Sequence, residues 1–201
     1  MTSALVRRAF AVAGFLLLLP APSHAHLMNT GLGPFYDGVS HFALTPEDLL
    51  PALALALLAG QRGSRTGRLA LFALPGAWLA GGFLGLAFPT IGSAMALTTV
   101  SFLALGGLVA ADARLRPEWV VGLSLVVGLL HGYLNGSAMA LAKLGALGLV
   151  GIVATLFVVV ALASALVVTL RAPWARIAVR VAGSWIVAIG LLLLGWTFRA
   201  A

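Results

Sequence analysis

Four residues hold most of the chemistry open to this chain: His26, Asp37, His41 and His131. The 201 residues include only four histidines, five acids and no cysteine. Disulfides, thiolate zinc sites and sulfur redox chemistry are therefore excluded. A metal site must draw on imidazole, carboxylate, backbone or thioether groups, and neutral imidazole suits Ni, Co, Cu and Zn. The stretch His26 to Pro51, HLMNTGLGPFYDGVSHFALTPEDLLP, gathers two of the histidines and three of the acids. Asp37 and His41 are four residues apart, so one helical turn would face them the same way. Gly38 between them allows a turn instead, which would also bring them together or leave them as a hydrogen-bonded bend. Cleavage after Ala25 would give His26 a free α-amine, which with its imidazole chelates a divalent ion. Glu47 and Asp48 read as first-turn helix acids rather than ligands. His131 lies inside the apolar run LVVGLLHGYLNG. An ionisable group at membrane depth is costly and is a functional candidate by default; the alternative is a histidine bonded to a carbonyl of the next helix. No serine–histidine–acid spacing, phosphate loop or nucleotide fingerprint occurs, so no enzyme is expected.

The elements that must position these residues are membrane helices. The chain is 62% hydrophobic and 8% charged, with mean hydropathy +1.11, against about 25% charged residues in soluble domains. Lipid must be its main solvent. The net charge of +7 does not mark a nucleic-acid surface, because the arginines lie in short gaps between apolar runs, where they orient a membrane protein. Residues 1–25 read as a cleaved secretory signal: Arg7 and Arg8, an apolar core broken by Pro20 and Pro22, then Ser23-His24-Ala25. An extracytoplasmic cap over 26–45 follows, in which Gly31, Gly33, Pro34, Asp37 and Gly38 argue against a continuous helix.

Thr45 can then cap a helix with Pro46 at its first position. Six helices are expected, over 46–60, 69–88, 93–111, 118–134, 143–170 and 177–198. The pattern of the fourth allows one further turn past Asn135. The first is roughly 22 Å long against a hydrocarbon core of about 30 Å, so either the cap dips into the membrane or the bilayer thins. With residue 26 outside, the inner loops collect Arg62, Arg65, Arg68, Arg114, Arg116, Arg171, Arg176 and Arg180, and the outer segments only Lys143 and Arg199. Gly128, Gly132 and Gly136, and likewise Gly81 and Gly85, recur at four-residue spacing and read as close-packing faces. The fold class is all-α: a polytopic six-helix bundle of the bacterial inner membrane, with the mature N- and C-termini outside.

The two histidine stretches, with a signal and six helices, resemble the HupE/UreJ family, regarded as nickel or cobalt permeases found with hydrogenase and urease systems. The family's first motif, HPxxGxDH, stands at the start of its first helix; Asp37 and His41 in YDGVSH occupy a comparable place, three residues intervening. Its second, FHGxAxGxE, is matched by LHGYLNGSA, which keeps His131, Gly132 and Gly136 and has Leu130, Leu134 and Ala138 for the phenylalanine, alanine and acid. The resemblance implies a secondary permease with no resident cofactor and nickel or cobalt as substrate. His26, Asp37, His41 and His131 would form its outer metal site. The alternative is a non-transporting accessory or subunit for metalloenzyme assembly or metal delivery. Partners are the bilayer and the metal ion, with room for a homo-oligomer or metalloenzyme-maturation proteins, and no nucleic acid.

Overall fold

The computed structural model describes residues 30–90 and 95–199. The expected signal over 1–25 and the candidate ligand His26 lie outside these residues. Among the described residues the ordered structure is entirely helical: α1 (Pro34–Leu44), α2 (Pro46–Gln61), α3 (Ser64–Ala87), α4 (Met95–Ala110), α5 (Pro117–Leu141), α6 (Gly145–Thr169) and α7 (Pro173–Arg199). Four of these, α3, α5, α6 and α7, are long and apolar enough to cross a membrane alone. The pair α1–α2 meets the same criterion jointly but is bent by 71°. α4 is apolar and shorter. The protein is thus all-helical and multi-pass, with four to five candidate spans.

The cap corrects the expectation of turns, since residues 34–44 form a helix. Gly33 precedes it at φ 100°, a conformation that side chains disfavour, and Pro34 supplies the first-turn φ. Gly38 does not break α1. It lets α1 approach α6 so closely that a Cβ there would overlap the carbonyl of Gly148, as one at Gly151 would overlap the carbonyl of Phe35. Phe42 of α1 is fully buried and meets Trp78 edge-on. Residues 34–44 are thus packed into the bundle, not laid loosely over it.

α2 is the central element. Its residues from Pro51 to Gly60 are buried except the partly exposed Leu53, and it touches every other helix of the bundle. An apolar helix with no polar stripe can be placed only where neighbours cover all its sides. Pro46 stands at its first position as expected, but Thr45 makes no side-chain cap. The start is tied by the backbone instead, with the amides of Asp48 and Leu49 donating to the Thr45 carbonyl.

α3 and α5 are pressed together by the two glycine faces. A Cβ on Gly81 or Gly85 would meet the carbonyls of Leu129 or Tyr133, and one on Gly132 or Gly136 those of Trp78 or Gly82. The packing reading of these glycines holds: small residues let two backbones touch where lipid offers no hydrophobic drive. α5 continues to Leu141, past the expected end at 134, and α3 begins at Ser64 rather than 69.

At one end of the bundle three connections meet. Arg62 pairs with Asp112, Arg176 approaches the same carboxylate at 3.4 Å, and Arg180 donates to the Ala110 carbonyl. The arginine-rich loops expected on one side do lie together.

Candidate functional site

Asp48 lies in the first turn of α2, and its neighbour Glu47 is exposed while it is 5% exposed. Reading both as first-turn acids therefore holds for position along the helix but misses Asp48's surroundings. Its Oδ1 lies 3.1 Å from Nδ1 of His131, and its Oδ2 accepts a 2.9 Å hydrogen bond from Nδ2 of Asn135. Nε2 of His41 stands 3.9 Å from Oδ2. Two imidazoles from α1 and α5 thus converge on a carboxylate at the N-terminus of α2. Helix dipole charge at that terminus favours an anion there.

His131 is 1% exposed. An ionised carboxylate only accepts, so Nδ1 of His131 carries a hydrogen toward Asp48. In the neutral ring Nε2 then accepts from the Ser101 hydroxyl, 3.1 Å away on α4. Trp78 of α3 stacks on the imidazole, ring centroids 5.5 Å apart and 30° between planes. The residue is therefore held on four sides by α2, α3, α4 and its own helix. It is bonded to side chains and not to a neighbouring carbonyl, which was the structural alternative.

Most buried positions of α5 follow the three-and-four spacing of one helical face, Val120, Ser124, Val127, Gly128, His131, Gly132, Asn135 and Gly136, with Ser137 and Met139 buried beside it. That face puts Asn135 one turn beyond His131, so both reach Asp48. Two side chains that touch this centre carry a buried polar atom without a partner, Nε1 of Trp78 and Oδ1 of Asn135; the hydroxyls of Thr98 and Thr99 on α4 and Oε1 of Gln61 on α2 are also unpartnered. Buried polar groups are nearly always satisfied. Orphans on two side chains of the centre mark a place that takes water or a polar guest.

Of the candidate ligands, the structure brings His41 and His131 to a common partner. Asp37 is engaged elsewhere: its Oδ1 accepts 2.6 Å bonds from the amide and hydroxyl of Thr30, fastening the segment before α1. Among the described residues, no three of the His, Asp and Glu side chains are set as a metal-holding group. Asn135, Ser101 and Trp78 escaped the sequence reading, and Asp48 entered it only as a first-turn helix acid. Asp48 had a usable signal, since a helix too short to span brings its first-turn acid below the membrane surface unless the bilayer thins around it. Asn135 sits at i+4 from His131. Ser101 and Trp78 carry no such mark.

A family model described as HupE / UreJ protein matches residues 14–193. The chain belongs to the HupE/UreJ family. No curated protein and no solved structure gives a significant match. HupE/UreJ proteins are associated with nickel and cobalt transport or with accessory roles for metalloenzymes, and are not known enzymes. The order carboxylate, imidazole, hydroxyl in Asp48, His131 and Ser101 has the form of a nucleophilic relay. In this HupE/UreJ chain all three are closed inside the bundle. Where the second motif has an acid, this member has Ala138, and the carboxylate beside His131 comes from Asp48 of another helix.

Proposed function

We propose that this HupE/UreJ protein is a permease for a divalent transition-metal ion of the nickel or cobalt type, and that the ion is held between Asp48, His131 and His41 on its way inward. The observation that carries the reading is the carboxylate enclosed between two imidazoles at the broken junction of α1 and α2. Nitrogen and oxygen ligands about 2.1 Å from a metal lie roughly 3.0–3.4 Å from one another. His131 and Asp48 already stand at 3.1 Å, and moving the ring hydrogen of His131 from Nδ1 to Nε2, where the Ser101 oxygen can accept it, would free Nδ1 for the ion. His41, at 3.9 Å, is within about 1 Å of the same range, and a side-chain shift of that order completes three ligands. The orphaned atoms of Trp78 and Asn135 would receive waters the ion retains. Asp37 and His26 would serve earlier, as outer attractors. In this reading residue 26 is exported to the outside of an inner membrane, and the arginine-rich loops support an orientation with the cap outside and the Arg62–Asp112 end inside.

The test is uptake of Ni, Co, Cu, Zn and Mn by cells expressing the chain, beside His131→Ala and His41→Ala. Accumulation of one metal, abolished by His131→Ala and cut by His41→Ala, is the expected result. No accumulation of any metal, with folded protein in the membrane, would sink the permease.

One observation favours the accessory reading instead. Thr155, Ser164, Thr169 and Ser184 on α6 and α7 each donate to a carbonyl of their own helix. Hydroxyls so spent line no path. Metal bound by the purified protein but never accumulated would assign it to delivery or assembly.

A further inference from the structure

A second site lies at the opposite, arginine-rich end. A cavity of about 290 Å³ opens there between α2, α6 and α7, lined among others by Gly60, Gln61, Val167, Leu170, Arg171 and Arg176. Arg171 is exposed and pairs with no acid among the described residues. Arg176 shares the single carboxylate of Asp112 with Arg62, so Arg171 and Arg176 at the opening are not both neutralised. The N-terminus of α7, which begins at Pro173 between those two arginines, adds its own positive end. The local charge calls for an anion.

Two further features narrow the anion. Gln61 donates its Nε2 to the Val109 carbonyl, while its Oε1 is buried without a partner. That oxygen needs a donor, which phosphate oxygens cannot supply and an alcohol can. Beside the cavity the surface of α6 and α7 is greasy: Leu166, Val168, Ile177 and Val181 are exposed, and Trp174 is 72% exposed. Indole at the end of a membrane helix sits at headgroup level. Basic pockets between membrane helices hold anionic headgroups in this way.

We propose that this cavity binds an anionic phospholipid whose headgroup carries free hydroxyls, as phosphatidylglycerol does. Arg171 and Arg176 grip the phosphodiester, Oε1 of Gln61 accepts from a headgroup hydroxyl, and the acyl chains run along α6 and α7. The site stands apart from the metal centre and does not depend on it.

The experiment is native mass spectrometry of the full chain in detergent, titrated with phosphatidylglycerol, with phosphatidylethanolamine of the same acyl chains, and with inorganic phosphate. Preferential retention of phosphatidylglycerol is expected, falling about fivefold in Arg171→Gln and about 25-fold in Arg171→Gln/Arg176→Gln. Arg114→Gln/Arg116→Gln removes equal charge at the same end without touching the cavity and should lower retention less than about twofold. Because Arg171 has no ion pair to lose, its single variant keeps the test sound if the double variant is unstable. Equal retention of both lipids, an equal fall in the Arg114/Arg116 control, or no fall in Arg171→Gln overturns the proposal. So does saturable phosphate binding without lipid preference, which would make the cavity a soluble-anion site.

Discussion

Asp48→Asn separates charge from shape at the buried centre. The new amide keeps its oxygen for the Nδ1 hydrogen of His131. Its nitrogen would at first confront the Asn135 nitrogen that now donates to Asp48 at 2.9 Å. Turning the Asn135 amide over resolves the conflict, because that turn offers the Oδ1 that presently has no partner. Both hydrogen bonds survive in neutral form. Charge-assisted bonds are roughly twice as strong as neutral ones, a loss of about 1–2 kcal/mol, and removing a buried charge returns a desolvation cost of similar size. The net change in stability is therefore within about 1 kcal/mol. Asp48→Ala strands His131 and Asn135 together, at about 1–3 kcal/mol each. Metal affinity should behave oppositely to stability. Losing the sole anionic ligand of the proposed site should cost at least about 100-fold in both variants, more than the 10–100-fold typical of outer-shell partners. Denaturation in detergent and metal binding by calorimetry read the two quantities separately. An Asp48→Asn protein as unstable as Asp48→Ala would mean that the charge itself holds the helices. A stable Asp48→Asn protein with undiminished metal binding would remove Asp48 from the metal site.

Other variants probe the frame. Gly136→Ala should destabilise by about 1–3 kcal/mol, because its Cβ would overlap the Gly82 backbone; Gly76→Ala, with nothing within 4 Å, should stabilise by up to about 1 kcal/mol in the same denaturation assay. Trp78→Ala should cost about 3–5 kcal/mol, whereas Trp78→Phe keeps a ring on His131, discards an unpaired N–H, and should cost about half as much or less. Asp112→Ala should lower the melting temperature more than Asp112→Asn, since Asp112 adopts φ 49° and serves Arg62 and Arg176, and asparagine tolerates that backbone better than alanine.

The apolar periodicity and the arginine gaps located every long helix, because membrane helices announce themselves by length and by charge at their ends. Helix ends were less legible. Asn135-Gly136-Ser137 has the composition of a stop, yet those residues are buried against α3 and Asp48, where small size and an amide are wanted. Gly38 misled for the same reason: in a soluble chain it marks a turn, while here it is a contact point between α1 and α6. His131 was visible as a lone polar group in an apolar run. Its partners were not, because the Asp48–His131 and Ser101–His131 contacts join residues 83 and 30 apart, which only the packing of α2 and α4 beside α5 brings together.

The bend between α1 and α2 is what makes a carboxylate tenable there. A continuous helix through Thr45 would spend the amide of Glu47 on a carbonyl of the preceding turn; Pro46 has no N–H to spend, and the amide of Asp48 is held by the Thr45 carbonyl. The break frees the start of α2, and its N-terminal dipole then faces the centre. α2 spans only roughly 24 Å at 16 residues, so its first turn lies inside a hydrocarbon core of about 30 Å if its other end reaches the arginine-rich surface. The short helix, the bend and the buried acid are thus one device: a half-helix ending at depth, covered by α1, with two histidines brought to its positive end. Irregular backbone at that depth survives only where protein or a watery cavity satisfies it.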